Sequence, residues 1–186
     1  RELGIKTLFN LLGPLVNPAL PRKQLVGAYS LEVARLYGYL LQRAGGQFMV
    51  VHALDGYDEI SLTGSFKTIT ARSEQILTPQ QIGFGTITAS QLAGGASVRE
   101  SADIFLSVLN NRATAAQRNT VVANAAMALY AAERAGTIAD CIALANESLD
   151  SRQALQCFKR AMTISKPIER TLGWLPSTTS ELASAA

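Results

Sequence analysis

Histidine occurs once in the 186 residues, as His52, and no acid or nucleophile in the sequence can be assigned to it as a catalytic partner. A lone imidazole has the right pKa for a general base. Without partners, a structural role is the better reading. Cysteine occurs twice, as Cys141 and Cys157. The two lack metal-ligand spacing and sit in helical patterns with apolar neighbours, which reads as a pair of buried, reduced thiols. No apolar run reaches the length of a membrane span, and the first residues do not resemble a signal peptide. The expected setting is the cytoplasm, with no membrane partner. Charged residues are only 17% of the chain and never form a run of about five or six of one sign. A net charge of +3 with its lysines and arginines scattered gives no clustered basic face, so no nucleic-acid partner is indicated.

Apolar residues make up 48%, enough for a folded domain with a sizeable core. They are dense even at the start, where Leu8, Phe9, Leu11, Leu12, Leu15 and Val16 are too apolar for an ordinary surface terminus. Gly13-Pro14 stops a helix there, because proline lacks an N–H and disfavours helical geometry in the residue before it; Asn17-Pro18 repeats the break. This pattern suits a buried crossing between two parts of a larger protein. The chain begins at Arg1 rather than methionine, the expectation for a fragment or a processed product.

Further along, residues 24–29 read as a buried strand. Ser30 is placed to cap a helix whose Val33, Leu36, Tyr37, Leu40 and Leu41 recur at helical spacing. Gly45-Gly46 ends that helix, and the apolar run 48–51 is a strand of the kind buried on both faces. Strand, helix and strand with short connections imply a parallel crossover, hence an α/β fold. Residues 65–71 and 74–77 suit a hairpin turning at Arg72-Ser73, and Thr78-Pro79 suits a helix cap with proline at the first position. Residues 83–95 read as loop. Ser97 and Glu100 have capping-box spacing ahead of a helix with the stripe Ile104, Phe105, Val108 and Leu109. Two more helices follow. One starts at Thr114 with Val122, Ala125, Leu129 and Ala132 on one side; the other lies beyond Gly136-Thr137 with Ile138, Cys141, Ile142, Ala145 and Leu149 inward. Ser151 is the expected cap of a last helix through Met162. No repeat of fixed period occurs. From Lys166 the pattern dissolves into a Pro- and Ser/Thr-rich tail, in which Trp174 with Leu172 and Leu175 should pack on something.

Open α/β sheets place ligands beyond the carboxyl ends of their strands, and the second strand here runs into His52-Ala-Leu-Asp-Gly-Tyr-Asp-Glu-Ile-Ser-Leu-Thr-Gly64. Asp55, Asp58 and Glu59 are hard oxygen ligands close enough to share one cation, and Mg²⁺ is usually held by one or two carboxylates with waters and substrate phosphates. An acidic loop can equally be simply solvated. Gly94-Gly95 before a capped helix could receive an anion, but without P-loop or dinucleotide spacing a tight turn is the better reading.

The segment Leu-Gly-Ile-Lys-Thr-Leu-Phe-Asn-Leu-Leu-Gly-Pro-Leu-Val-Asn-Pro, residues 3–18, resembles the hinge between the two domains of anthranilate phosphoribosyltransferases; Lys6 stands where that family usually has arginine. The likeness is also strong over residues 50–64 and extends to about residue 160, through Gly94-Gly95 and Asn124-Ala-Ala. It implies the C-terminal part of a nucleoside phosphorylase/phosphoribosyltransferase-like α/β domain led by a helix from a helical domain. The implied division is a hinge and helical segment over 1–18, the α/β part over 19–163 and a tail over 164–186. The implied substrates are phosphoribosyl pyrophosphate (PRPP) and anthranilate, the cofactor Mg²⁺, and the assembly a homodimer through the helical domain. Asp58 and Glu59 match the family's metal-binding acids, and Gly13 and Pro14 match the end of its anthranilate channel; Asp55 matches no ligand, and no catalytic side chain is implied. The family's Gly-Thr-Gly-Gly-Asp and Lys-His-Gly-Asn-Arg segments occur nowhere in this sequence, and the arginine that contacts anthranilate falls just ahead of Arg1. The 186 residues alone are therefore expected to be inactive, with the leading apolar helix a packing liability. A pyrimidine nucleoside phosphorylase-like enzyme and a non-catalytic nucleic-acid-binding relative are the alternatives.

Overall fold

The computed structural model describes residues 11–165. Strands β1 (Lys23–Gly27), β2 (Gln47–Ala53), β3 (Phe66–Thr70) and β4 (Glu74–Leu77) form a mixed sheet in that order. β1 and β2 are parallel, with Lys23 opposite Gln47 and Gly27 opposite Val51. β2 and β3 are antiparallel, as are β3 and β4, which make the expected hairpin. Flanked on both sides, β2 is buried from Phe48 to Ala53, as its unbroken apolar run predicts.

Helix α1 (Leu31–Ala44) is the crossover between the parallel strands. Ser30 accepts from the Val33 N–H as its N-cap, and Gly45 closes it in the left-handed conformation at φ 75°. Its buried face is Val33, Ala34, Tyr37, Gly38 and Leu41, whereas Leu36 is exposed. The face is rotated from the expected stripe because the helix meets the sheet most closely at Gly38, where an added Cβ would stand 2.9 Å from Ile69 Cγ2. The small residues 34 and 38 therefore turn toward the strands. Leu11 and Leu15 pack against this cluster, and Tyr37 Oη donates to the Leu11 carbonyl at 3.1 Å. Burial pushes the Tyr37 phenol up.

The opposite face of the sheet is covered by α3 (Ala115–Ala131), whose Ala123, Met127 and Ala131 pack against Met49, Val51, Ala53 and Phe66. The expected side of α3, Val122 with Ala125 and Leu129, is also covered. It packs on Val108 and Leu109 of α2 (Val98–Leu109), Ala145 and Leu149 of α4 (Ile138–Asp150) and Leu155 of α5 (Gln153–Ser165). An amphipathic reading of α3 is thus corrected: its alanine-rich sequence lets one helix serve two cores. At its C-terminal end Lys23 donates to the Ala132 carbonyl at 2.8 Å and pairs with Glu133, a cation where the helix dipole favours one.

Local details depart from expectation in four places. After Thr78-Pro79 there is only a 3₁₀ turn, Gln80–Ile82, because Gly83 goes left-handed at φ 85°. The capping box at Ser97 is half made: Ser97 accepts from the Glu100 N–H, but Glu100 reaches past it to the Ala96 N–H at 2.6 Å. Ser151 closes α4 instead of opening α5, its hydroxyl donating to the Glu147 carbonyl, and Arg152 makes the turn at φ 61°. Cys141 is buried, with its thiol pushed up by desolvation, but Cys157 is exposed, since α5 turns Ala154, Leu155 and Phe158 inward instead. Leu8, Phe9, Trp174 and the tail lie outside the described residues.

Met127 is wholly buried against the sheet. Met127→Ala is expected to cost about 2–5 kcal/mol in urea unfolding, from lost transfer energy plus a cavity. Glu74 is held below the usual carboxylate range by its hydrogen bond and ion pair with the buried Lys67. A carboxyl lowered on folding contributes stability above its unfolded value, and loses it as pH falls through the lowered one. The stability difference between the parent and Lys67→Met should therefore shrink on acidification through that range.

Candidate functional site

β2 ends at Ala53, and the next twelve residues, 54–65, return to β3 along a path fixed almost bond by bond. The Ala53 N–H donates to the Tyr57 carbonyl at 3.0 Å, and the Gly56 N–H donates to Ala53, with Gly56 left-handed at φ 102°. Leu54 donates to Ser65 at 2.9 Å, closing the loop's base. Inside it, Asp55 accepts from the Ser61 and Thr63 hydroxyls. That engagement points the Asp55 carboxylate into its own loop, so it does not join the other two acids as a ligand.

Ile60, wholly buried, is gripped from α3. Its N–H donates to Asn124 Oδ1 at 2.9 Å, and Asn124 Nδ2 donates back to the Ile60 carbonyl at 2.8 Å and to the Thr120 carbonyl at 2.9 Å. A side-chain amide here does what a neighbouring strand would do, satisfying both backbone groups of one buried residue. Leaving either unsatisfied would cost about 1–3 kcal/mol. Leu62, also buried, adopts the left-handed φ of 60°, and its carbonyl accepts from the Ile87 N–H at 3.0 Å. A bulky residue in that region is strained, and surrounding contacts must hold it there.

On the other side stands Gly27, the last residue of β1. A Cβ on Gly27 would overlap the backbone carbonyl oxygen of Asp58. The Asp58 peptide therefore lies directly against the carboxyl end of β1, and only a residue without a side chain allows it.

Between these walls Asp58 and Glu59 are exposed. Among the described residues neither carboxylate is engaged in a hydrogen bond or ion pair, and no group of three or more metal-ligating side chains forms. Two adjacent free carboxylates on a fixed backbone fit a magnesium ion that draws its remaining ligands from water and phosphate oxygens. They do not fit a closed, all-protein metal cage.

The other candidates sit elsewhere. His52 is buried, its Nδ1 donating to the Ala28 carbonyl at 2.6 Å; it ties the end of β1 to β2. Gly95 is pressed against the backbone of Glu100 and Ser101, as a tight helix entry requires. Gly13 and Pro14 form a turn after Leu12 on the α1 side of the sheet, where the neighbouring Leu11 and Leu15 pack. A groove of about 810 Å³, lined in part by Gly46, Gln47, Arg72, Ser73 and Tyr130, opens at the amino end of β2, away from the acidic pair.

Gly27 and Asn124 are the site residues that sequence reasoning missed as such. The one available signal was Asn124 itself, an amide alone in the otherwise apolar stretch from Val121 to Leu129.

Residues 1–155 match the model of the glycosyl transferase family, a/b domain. The chain belongs to that family. Within it, the chain is 49% identical over 162 residues to an anthranilate phosphoribosyltransferase of Cytophaga hutchinsonii, covering 87% of this chain and 49% of that relative. The solved anthranilate phosphoribosyltransferase of Thermus thermophilus superposes with a TM-score of 0.78 at 32% identity, covering 86% of this chain and 48% of that one. The Saccharomyces cerevisiae enzyme, solved in complex with PRPP and Mg, gives a TM-score of 0.74 at 27% identity, with 83% and 45% covered. The chain spans about half the length of the curated relatives it matches. The mixed α/β architecture is that of the family.

Gly27→Ala should push the Asp58 peptide away from β1 and destabilise the protein by about 1–3 kcal/mol, the usual range for overpacking. Amide chemical shifts over residues 56–62 should move with it. Unchanged shifts there would contradict the close approach.

Proposed function

We propose that this chain is the part of an anthranilate phosphoribosyltransferase that carries the metal-holding acids. The whole enzyme transfers the phosphoribosyl group of PRPP to anthranilate, giving N-(5-phosphoribosyl)anthranilate and pyrophosphate, in tryptophan biosynthesis. The observation that carries this reading is the exposed pair Asp58–Glu59, held on a clamped loop at the carboxyl end of β2, in a chain 49% identical to a relative of that name. A relative solved with PRPP and Mg supports the same pairing of ligand and ion.

In the reaction the bond from C1 of the ribose to pyrophosphate breaks, and its electron pair leaves with the pyrophosphate. The anthranilate nitrogen donates its lone pair to C1 and loses a proton. Positive charge builds on the ribose as negative charge builds on the leaving group. Asp58 and Glu59 would hold Mg²⁺, which would supply charge neutralisation for the leaving pyrophosphate. The reading assigns no acid or base at the reacting atoms to the described residues; their part is to bind and orient. Gly13 and Pro14 shape the end of the channel for the aromatic substrate, in a hinge segment over 1–18 ahead of the α/β part over 19–163 and a tail over 164–186. The reading also takes in a homodimer formed through the helical domain and a cytoplasmic setting, both resting on the resemblance alone.

Three basic side chains, Lys23, Lys67 and Arg118, pair with Glu133, Glu74 and Asp150. The preference for a small-molecule enzyme over a nucleic-acid-binding relative rests instead on the named relatives, one of them solved with PRPP and Mg.

The test is loss of anthranilate fluorescence with PRPP and Mg²⁺, run on the full-length chain and on these 186 residues. Consumption by the full chain alone is expected; consumption by the 186 residues would refute the dependence on the missing segments. In the full chain, Asp58→Asn with Glu59→Gln should lower kcat/KM by about a hundredfold. An undiminished rate would remove the pair from the site.

A further inference from the structure

We infer that Asn124 is a positioning residue for the metal: its amide fixes Ile60, and through Ile60 the placement of the Asp58 and Glu59 carboxylates. The inference rests on the reading of that pair as the magnesium ligands.

Asp58 and Glu59 are the two residues immediately before Ile60, and Ile60 is wholly buried. The pair is thus the exposed end of a segment whose buried end is held by a two-point hydrogen bond from α3. Asn124 does not wander, because the same Nδ2 also donates to the Thr120 carbonyl one turn earlier on the helix. α3 in turn is fixed by packing on both faces and by Lys23 at its C-terminal end. The load path runs from the doubly packed helix to the amide, from the amide to the Ile60 backbone, and from there to the carboxylates.

Preorganisation is what makes this matter for binding. A metal that takes only two ligands from the protein gains little from each, so the ordering of those two ligands counts in the affinity. Residues that orient metal ligands typically change affinity tenfold to a hundredfold, roughly, when removed. A neutral amide is suited to the task. It donates and accepts at once, as both backbone groups of one residue require, and adds no charge beside the ion.

The experiment uses the full-length enzyme with PRPP present, with Mn²⁺ as the probe ion counted free by electron paramagnetic resonance. Hydrogen exchange of peptides covering residues 56–62 is followed in parallel. Asn124→Ala should weaken Mn²⁺ binding by about tenfold and speed exchange at the Ile60 amide. Asn124→Asp, which keeps the acceptor but loses the donor, should show the same direction and serves if the alanine variant does not fold. Arg118→Ala is the control. It removes hydrogen bonds to Asn111, Asn146 and Asp150, untying the start of α3 from α4 while leaving the loop and the two packed faces around Asn124 in place. It should lower the melting temperature and leave both readouts unchanged. Asp58→Asn with Glu59→Gln tests the underlying reading. If that pair weakens Mn²⁺ binding while the Asn124 variants do not, or while Arg118→Ala weakens it equally, the inference is overturned and the reading stands. If the pair itself leaves Mn²⁺ binding unchanged, the reading fails and the inference falls with it.

Discussion

Helix α3 carries two apolar faces at once, and each needs a different partner. Ala123, Met127 and Ala131 lie against the sheet, while Val122, Ala125 and Leu129 lie against α2, α4 and α5. Burial on both sides leaves the helix no freedom to roll, since rotation that relieves one core opens the other. Interiors are close-packed, and such a body transmits position well. That rigidity lets a single amide on α3 hold a loop in place. Lys23 completes the arrangement by joining the start of β1 to the end of α3, so sheet and helix share a frame.

The loop after β2 shows a division of labour among its acids. Asp55 is used up in ordering the turn through Ser61 and Thr63. Asp58 and Glu59 remain exposed because the backbone beneath them is held by other groups: Gly27 on one side, Asn124 on the other, and Ile87 beyond. The strained Leu62 belongs to the same economy of position, since an unusual backbone angle persists only where neighbours over-determine it. Binding residues on a loop become precise in this way without being regular secondary structure.

Much of this was legible in the residues. The crossover from β1 through α1 to β2 followed from Ser30, Gly45 and an apolar run, because caps and periodicity are local signals. The hairpin of β3 and β4 came from the same kind of evidence. The acidic pair could be placed at a strand end, and the resemblance to anthranilate phosphoribosyltransferases gave it a ligand. The misses share a cause. The rotation of α1 is set by Gly38 against Ile69, the exposure of Cys157 by which face of α5 finds a partner, and the second face of α3 by a helix layer far along the chain. Each depends on contacts between residues distant in sequence, which a periodic pattern cannot report.

The sequence by itself determined the strands and main helices, their order, the helix end at Gly45 and the acidic loop at the end of β2. These follow from backbone sterics and from the spacing of apolar residues, both properties of short windows. Only the tertiary structure decided that Asp55 turns inward, that Gly27 must be bare, and that Asn124 reaches Ile60 across 64 residues of chain. Those facts depend on where a helix and a strand end come to rest once two cores are filled. Packing, which acts between distant segments, selects that placement from many that the local signals allow.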